Sequence, residues 1–69
     1  MIIYHQNQIQ IIHYDKLIQV EPYHILIEHL NNKISIKGKD LKILLMNEEE
    51  LMIQGELYAI EILENKNWM

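Results

Sequence analysis

Ile34-Ser35-Ile36-Lys37-Gly38 returns seventeen residues later as Leu51-Met52-Ile53-Gln54-Gly55. Each copy reads apolar, any, apolar, polar, Gly. Each is followed by a second alternating run, Leu41-Lys42-Ile43-Leu44-Leu45 after the first and Tyr58-Ala59-Ile60-Glu61-Ile62 after the second. Alternation with period two is the pattern of a strand with one buried face. A glycine between two such runs marks a bend, a bulge or a close backbone approach. The second half therefore reads as two stacked strand–Gly–strand units, with Gly38 and Gly55 as the candidate structural glycines.

The same logic extends outward. Residues 2–4 read as a short strand or a frayed start. Residues 9–14 form a strand, Asp15-Lys16 breaks it, and residues 17–20 resume, so these two runs are expected to pair as a hairpin. Pro22 ends the second run because it cannot donate to a ladder. Residues 24–30 form the next strand, and Asn31-Asn32 suits a two-residue type I′ turn, since Asn tolerates positive φ. Residues 33–37 pair back, bend at Gly38 and continue through 41–46. Asn47-Glu48-Glu49-Glu50 turns the chain into 51–54 and 57–63. A helix start capped by Asn47 with Glu50 three residues on is the competing reading of that turn. Gly55 and the alternation of Ile60 and Ile62 argue against it. The expected fold is all-β: one domain over residues 1–69, with six to eight short strands in an antiparallel meander folded into a compact sandwich or a partly open barrel. Residues 64–69 are a polar tail carrying Trp68.

In the second half one parity collects Ile34, Ile36, Leu41, Ile43, Leu45, Leu51, Ile53, Tyr58, Ile60 and Ile62, which is the expected core face. The other parity carries Leu44, Met46, Met52, Leu57, Ala59 and Leu63 among Lys42 and Glu61. That second stripe has two readings. Either the sheet folds over and both faces are partly buried, or the stripe is a partner surface. Leu44, Met46, Met52, Leu57 and Trp68 are the candidate interface residues.

Composition narrows the function classes. At 69 residues with no cysteine, disulfides and thiolate metal sites are excluded. A core of this size rarely supplies more than about 3–5 kcal/mol, so oligomerisation or docking on a partner is favoured. Ile and Leu supply 23 residues, 14 of them Ile, while Arg is absent and Ala and Val occur once each. Such a bias is what an AT-rich genome produces and points to a low-GC bacterium. Net charge is −4, there is no Arg, and three of the six Lys gather near Gly38. Phosphate-dominated nucleic-acid binding is not expected. The first residues lack the basic and apolar regions of a signal peptide, and the apolar run 43–46 is far short of the ~20 residues that span a membrane. The expected location is cytoplasmic, or peripheral at a membrane through a partner, with no direct insertion.

These residues resemble the YabP/YqfC family of small sporulation proteins of spore-forming Firmicutes. The resemblance is carried by Ile34-Ser35-Ile36-Lys37-Gly38-Lys39-Asp40-Leu41-Lys42-Ile43, by the turn Glu48-Glu49-Glu50, and by Leu51-Met52-Ile53-Gln54-Gly55-Glu56-Leu57-Tyr58-Ala59-Ile60. It covers residues 9–63. The two glycines, their spacing and the intervening Glu turn are its discriminating parts. Lys16 and Asn32 stand where the family often has Gly. The resemblance implies a β-rich, non-enzymatic protein needed for spore formation, acting with a membrane-associated protein partner, with no cofactor and no catalytic residues. The short chain without staples and the mixed apolar face separately lead to the expectation of a homo-oligomer, joined through sheet edges or the second stripe, and no metal site is expected.

The residues themselves offer little chemistry. His24 and His29 are five apart and face opposite sides of a regular strand, while His5 and His13 would lie about 27 Å apart on extended chain. Glu48-Glu49-Glu50 is a solvated turn rather than a catalytic pair, which would need a cleft. Ser35 lies mid-strand without an adjacent base, and nucleophilic catalysis has almost no support. Tyr14, Tyr23 and Trp68 are residue types common in binding hot spots. An alternative function is a small-barrel binding module of the SH3 or Sm-like kind for a peptide or, less favoured by the charge, RNA.

Overall fold

The computed structural model describes residues 1–63. It contains six strands and, among the described residues, no helix: β1 (Ile2–His5), β2 (Gln8–Ile12), β3 (Lys16–Glu21), β4 (His24–His29), β5 (Asn32–Met46) and β6 (Glu50–Leu63). All neighbours are antiparallel, and the strands form one open sheet in the order β1-β2-β6-β5-β4-β3. The all-β expectation holds. The count sits at its lower bound because the two strand–Gly–strand units are each one continuous strand, of 15 and 14 residues.

The two units are the antiparallel arms of a single hairpin rather than stacked layers. Ile34 and Ile36 in the first arm oppose Ile62 and Ile60 at the end of the second, and Ile43 near the end of the first opposes Ile53 at the start of the second. Each glycine lies where the opposite arm comes closest. A Cβ on Gly38 would lie 2.2 Å from the Glu56 carbonyl oxygen, and one on Gly55 would lie 2.9 Å from the Leu41 Cα. Gly55 also holds φ +153°, which side-chain-bearing residues rarely adopt. The register slips at Lys37/Gly38, at Lys39/Lys42 and at Ile43/Leu45, so the ladder is bulged along its middle. At the crease the chain is held from outside the ladder: Gly38 N–H donates to the Tyr23 carbonyl (3.1 Å) and Leu41 N–H to the Pro22 carbonyl (2.8 Å).

This bent hairpin divides the sheet. β2 pairs with residues 50–54 of β6, and β4 pairs with residues 32–37 of β5. The two ends curl toward one another around one core containing Ile9 and Ile11 of β2, Ile25 and Ile27 of β4, Ile34, Ile36 and Leu41 of β5, Leu51 and Ile53 of β6, and Tyr14. Ile is favoured here because its branched side chain packs on a pleated surface. Each such burial contributes about 1.5–3 kcal/mol against exposure. Tyr14 is buried with its hydroxyl donating to the Asn47 carbonyl at 2.7 Å, which pins the β5–β6 turn to the core.

Three sequence expectations need correction. The runs 9–14 and 17–20 do not pair. β2 instead takes β1 and β6 as neighbours, through a tight turn at Gln6-Asn7 in which both residues have positive φ. The β4–β5 turn is centred on Leu30-Asn31, one residue earlier than expected, again with two positive φ values. Leu45, Tyr58, Ile60 and Ile62, expected in the core, are exposed. The helical alternative at Asn47 fails in an instructive way. Its Oδ1 accepts from the N–H groups of Glu49 (2.9 Å) and Glu50 (2.8 Å) as a cap would, yet the chain turns straight into β6.

Candidate interaction surface

Beyond Gln54, β6 leaves β2, and residues 56–63 keep β5 on one side with no strand on the other among the described residues. An edge strand carries a row of backbone donors and acceptors open to another chain. This one is long and apolar. Ile60 and Ile62 stand in the same cross-strand rows as the buried Ile36 and Ile34, but they are 40% and 61% exposed because the curled sheet does not reach over them. Tyr58 is the extra residue of the bulge opposite Lys37 and Gly38, and it is 65% exposed. A depression of about 220 Å³ runs beside this edge, lined by Tyr4, Leu57, Tyr58, Ala59 and Ile60. On the outer face of the same strand Glu61 pairs with Lys37 at 2.9 Å, with both side chains about half exposed.

A second, wider depression of about 460 Å³ is lined by Tyr23, His24, Lys37, Gly38 and Tyr58. The Tyr23 hydroxyl and the Gln19 amide both donate to the Glu21 carboxylate. These bonds hold the Glu21 carboxyl below the usual glutamate value, with the Tyr23 bond the larger cause, and the same bond pushes the Tyr23 phenol up. His24 Nε2 lies 2.8 Å from Ser35 Oγ. Sequence reasoning placed no base beside Ser35. The β4–β5 register supplies one, because Leu26 opposes Ser35 and His24 is its diagonal neighbour. The serine is buried and its hydroxyl is occupied by this bond, so the pair satisfies a polar group inside the sheet rather than offering an open nucleophile.

The candidate stripe does not form one surface. The bulge between Ile43 and Leu45 breaks the parity: Met46 opposes Leu51, whereas Met52 opposes Leu45, so the two methionines lie on opposite faces. Leu44 and Met46 are exposed, Met52 is half-buried, and Leu57 packs against the core. Trp68 lies outside the described residues. The histidines are not assembled into a metal site: among the described residues no three His, Cys, Asp or Glu are grouped to hold an ion. No helix among them is long and apolar enough to cross a membrane. Comparison with protein-family models and with curated proteins finds no match to this chain.

What sequence reasoning did not locate is which strand carries an open edge. Its signal was present in Tyr58-Ala59-Ile60-Glu61-Ile62, where only one charge interrupts an otherwise apolar run. Parity marks Ile60 and Ile62 as inward-facing, and so they are. Whether anything covers an inward-facing residue is decided by the neighbouring strands.

Proposed function

We propose that this protein is a non-enzymatic assembly component of spore formation that works through protein–protein contacts, in company with a membrane-associated partner. The observation that carries the reading is the open apolar edge of β6, a surface suited to strand addition. The resemblance of residues 9–63 to the YabP/YqfC family supplies the sporulation context. The test is genetic. In the spore-forming host, deletion of the gene should reduce heat-resistant spores, and a plasmid copy should restore them. A deletion strain that sporulates at the parental frequency sinks the sporulation reading.

The second reading, a small binding module for a peptide, is favoured by one feature. The depression holding Tyr23, His24, Lys37 and Tyr58 sets two exposed aromatic rings around a cation. A peptide ligand would perturb the ring resonances of Tyr23 and Tyr58 together, whereas strand addition at the β6 edge would perturb the backbone amides of residues 56–63.

A further inference from the structure

We propose that the open edge of β6 pairs with the same edge of a second copy, antiparallel and centred on Ile60. The inference rests on the assembly reading above and names its contact.

The register follows from symmetry and charge. A two-fold axis perpendicular to a continuous sheet keeps each face on its own side, so a residue can oppose only a residue of like parity. Three centres, Ala59, Ile60 and Glu61, lie between the bulge at Tyr58 and the last two residues of the strand. Centring on Glu61 sets two carboxylates directly opposite each other, which is destabilising. Centring on Ala59 lays Glu61 across from Leu57, whose side chain packs against the core beyond the bulge, and leaves the carboxylate without an outer-face partner. Centring on Ile60 sets Ile60 against Ile60, Tyr58 against Ile62 and Ala59 against Glu61. It places no like charges opposite, and it creates aromatic-to-branched pairs of the stabilising kind.

Two features of the single chain fit that register. The row Ile25–Ile36–Ile60 begins in the core and ends at the open edge. A second copy continues it through its own Ile60, Ile36 and Ile25, covering the exposed end of each row. On the outer face Lys37 opposes Ala59. Glu61 of the second copy would lie on the far side of that alanine, in line with Lys37. Ala59 is the only alanine in the sequence, and its small side chain leaves the span between lysine and glutamate open. Each Lys37 already holds its own Glu61 at 2.9 Å. In the pair the two lysines and two glutamates form one alternating group across the axis. The ladder is short, about 17 Å for five residues, below the area of a standard stable interface, so the pair exchanges rapidly and forms at high micromolar concentration.

The absence of cysteine makes a direct test clean. Opposed strand positions lie within disulfide reach, whereas distant ones do not. Ile60→Cys, Ile18→Cys on the β3 edge and Leu44→Cys on the outer arm of β5 are oxidised with diamide at several hundred micromolar, and dimer is read on a non-reducing gel. Ile60→Cys should cross-link at least about ten-fold faster than the other two, because pairing raises its local concentration. Ile60→Lys should sediment as monomer at a concentration where the parent is dimeric, with an unchanged circular dichroism spectrum. If the parent is dimeric but Ile18→Cys or Leu44→Cys cross-links fastest, the β6 edge is the wrong contact, and the assembly reading survives. If the parent is monomeric at several hundred micromolar and no variant cross-links above the others, pairing between copies is overturned, while spore counts still judge the assembly reading separately.

Discussion

Gly38→Ala adds one methyl group where the two arms of the long hairpin touch. That carbon would stand 2.2 Å from the Glu56 carbonyl oxygen and 3.0 Å from Leu41 Cδ2. Cβ contacts essentially never fall under 3.0 Å, so the strands must part by about 0.8 Å within a close-packed interior. Overpacking costs about 1–3 kcal/mol. The upper end applies here, because the obstacle is backbone and cannot rotate aside. Gly55→Ala meets Leu41 Cα at 2.9 Å and must also hold φ +153°, a strain of about 1–3 kcal/mol by itself. In a domain this small each kcal/mol moves the melting temperature by about 4–8 °C, so each variant should lose roughly 12–24 °C. Lys39→Ala, at the exposed neighbouring position, is the control and should stay within about 0.5 kcal/mol of the parent. Thermal melts followed by far-UV circular dichroism at fixed concentration make the comparison. If both glycine variants melt within about two degrees of Lys39→Ala, close backbone approach is not what bends the hairpin.

Tyr14→Phe removes the 2.7 Å bond to the Asn47 carbonyl while keeping the ring in the core, and should cost about 1 kcal/mol in a denaturant melt. Tyr23→Phe should raise the titration midpoint of Glu21, seen by carboxyl-carbon NMR, because the phenol is the main group stabilising the carboxylate. The folded Glu21 value is depressed, so its contribution to stability is present above the ordinary glutamate value and is lost as the pH falls through the lower folded value. Neither added zinc nor a chelator should move the melting temperature, given the scattered histidines. Single-stranded RNA at physiological salt should not bind a chain of net charge −4 without arginine, and submicromolar affinity would favour the small-barrel reading instead.

The fold was legible wherever the signal is local. Alternation of Ile34 with Ile36 and of Leu51 with Ile53 announced strands, and Gly38 and Gly55 announced the crease. The partner of β2 was not legible, because Ile9 and Ile11 oppose Ile53 and Leu51 across more than half the chain and nothing near them encodes that choice. The one local clue was Asn7, a residue suited to positive φ, whose turn commits β2 to β1 and leaves its other edge for β6. The candidate stripe does not keep to one face for a related reason. Parity assigns faces only while the ladder is regular, and the bulges at Gly38 and Leu45 each reset it. Even correct parity for Ile60 and Ile62 could not reveal that the curled sheet ends short of them.

The pairing of β2 with β6 also sets a schedule for synthesis. Residues 8–12 leave the ribosome well before residues 50–54, the strand that gives them their second neighbour. At ordinary elongation rates of about 5–20 residues per second, the β1–β2 hairpin waits roughly 2–8 s with Ile9 and Ile11 uncovered. β3, β4 and the first arm of β5 can meet during that interval, since each lies next to its partner in sequence. Their core remains half open until the second arm arrives. The last of the described strands to be made is thus the one that joins both ends of the sheet, and a chain stopped before residue 50 displays two unfinished hydrophobic halves.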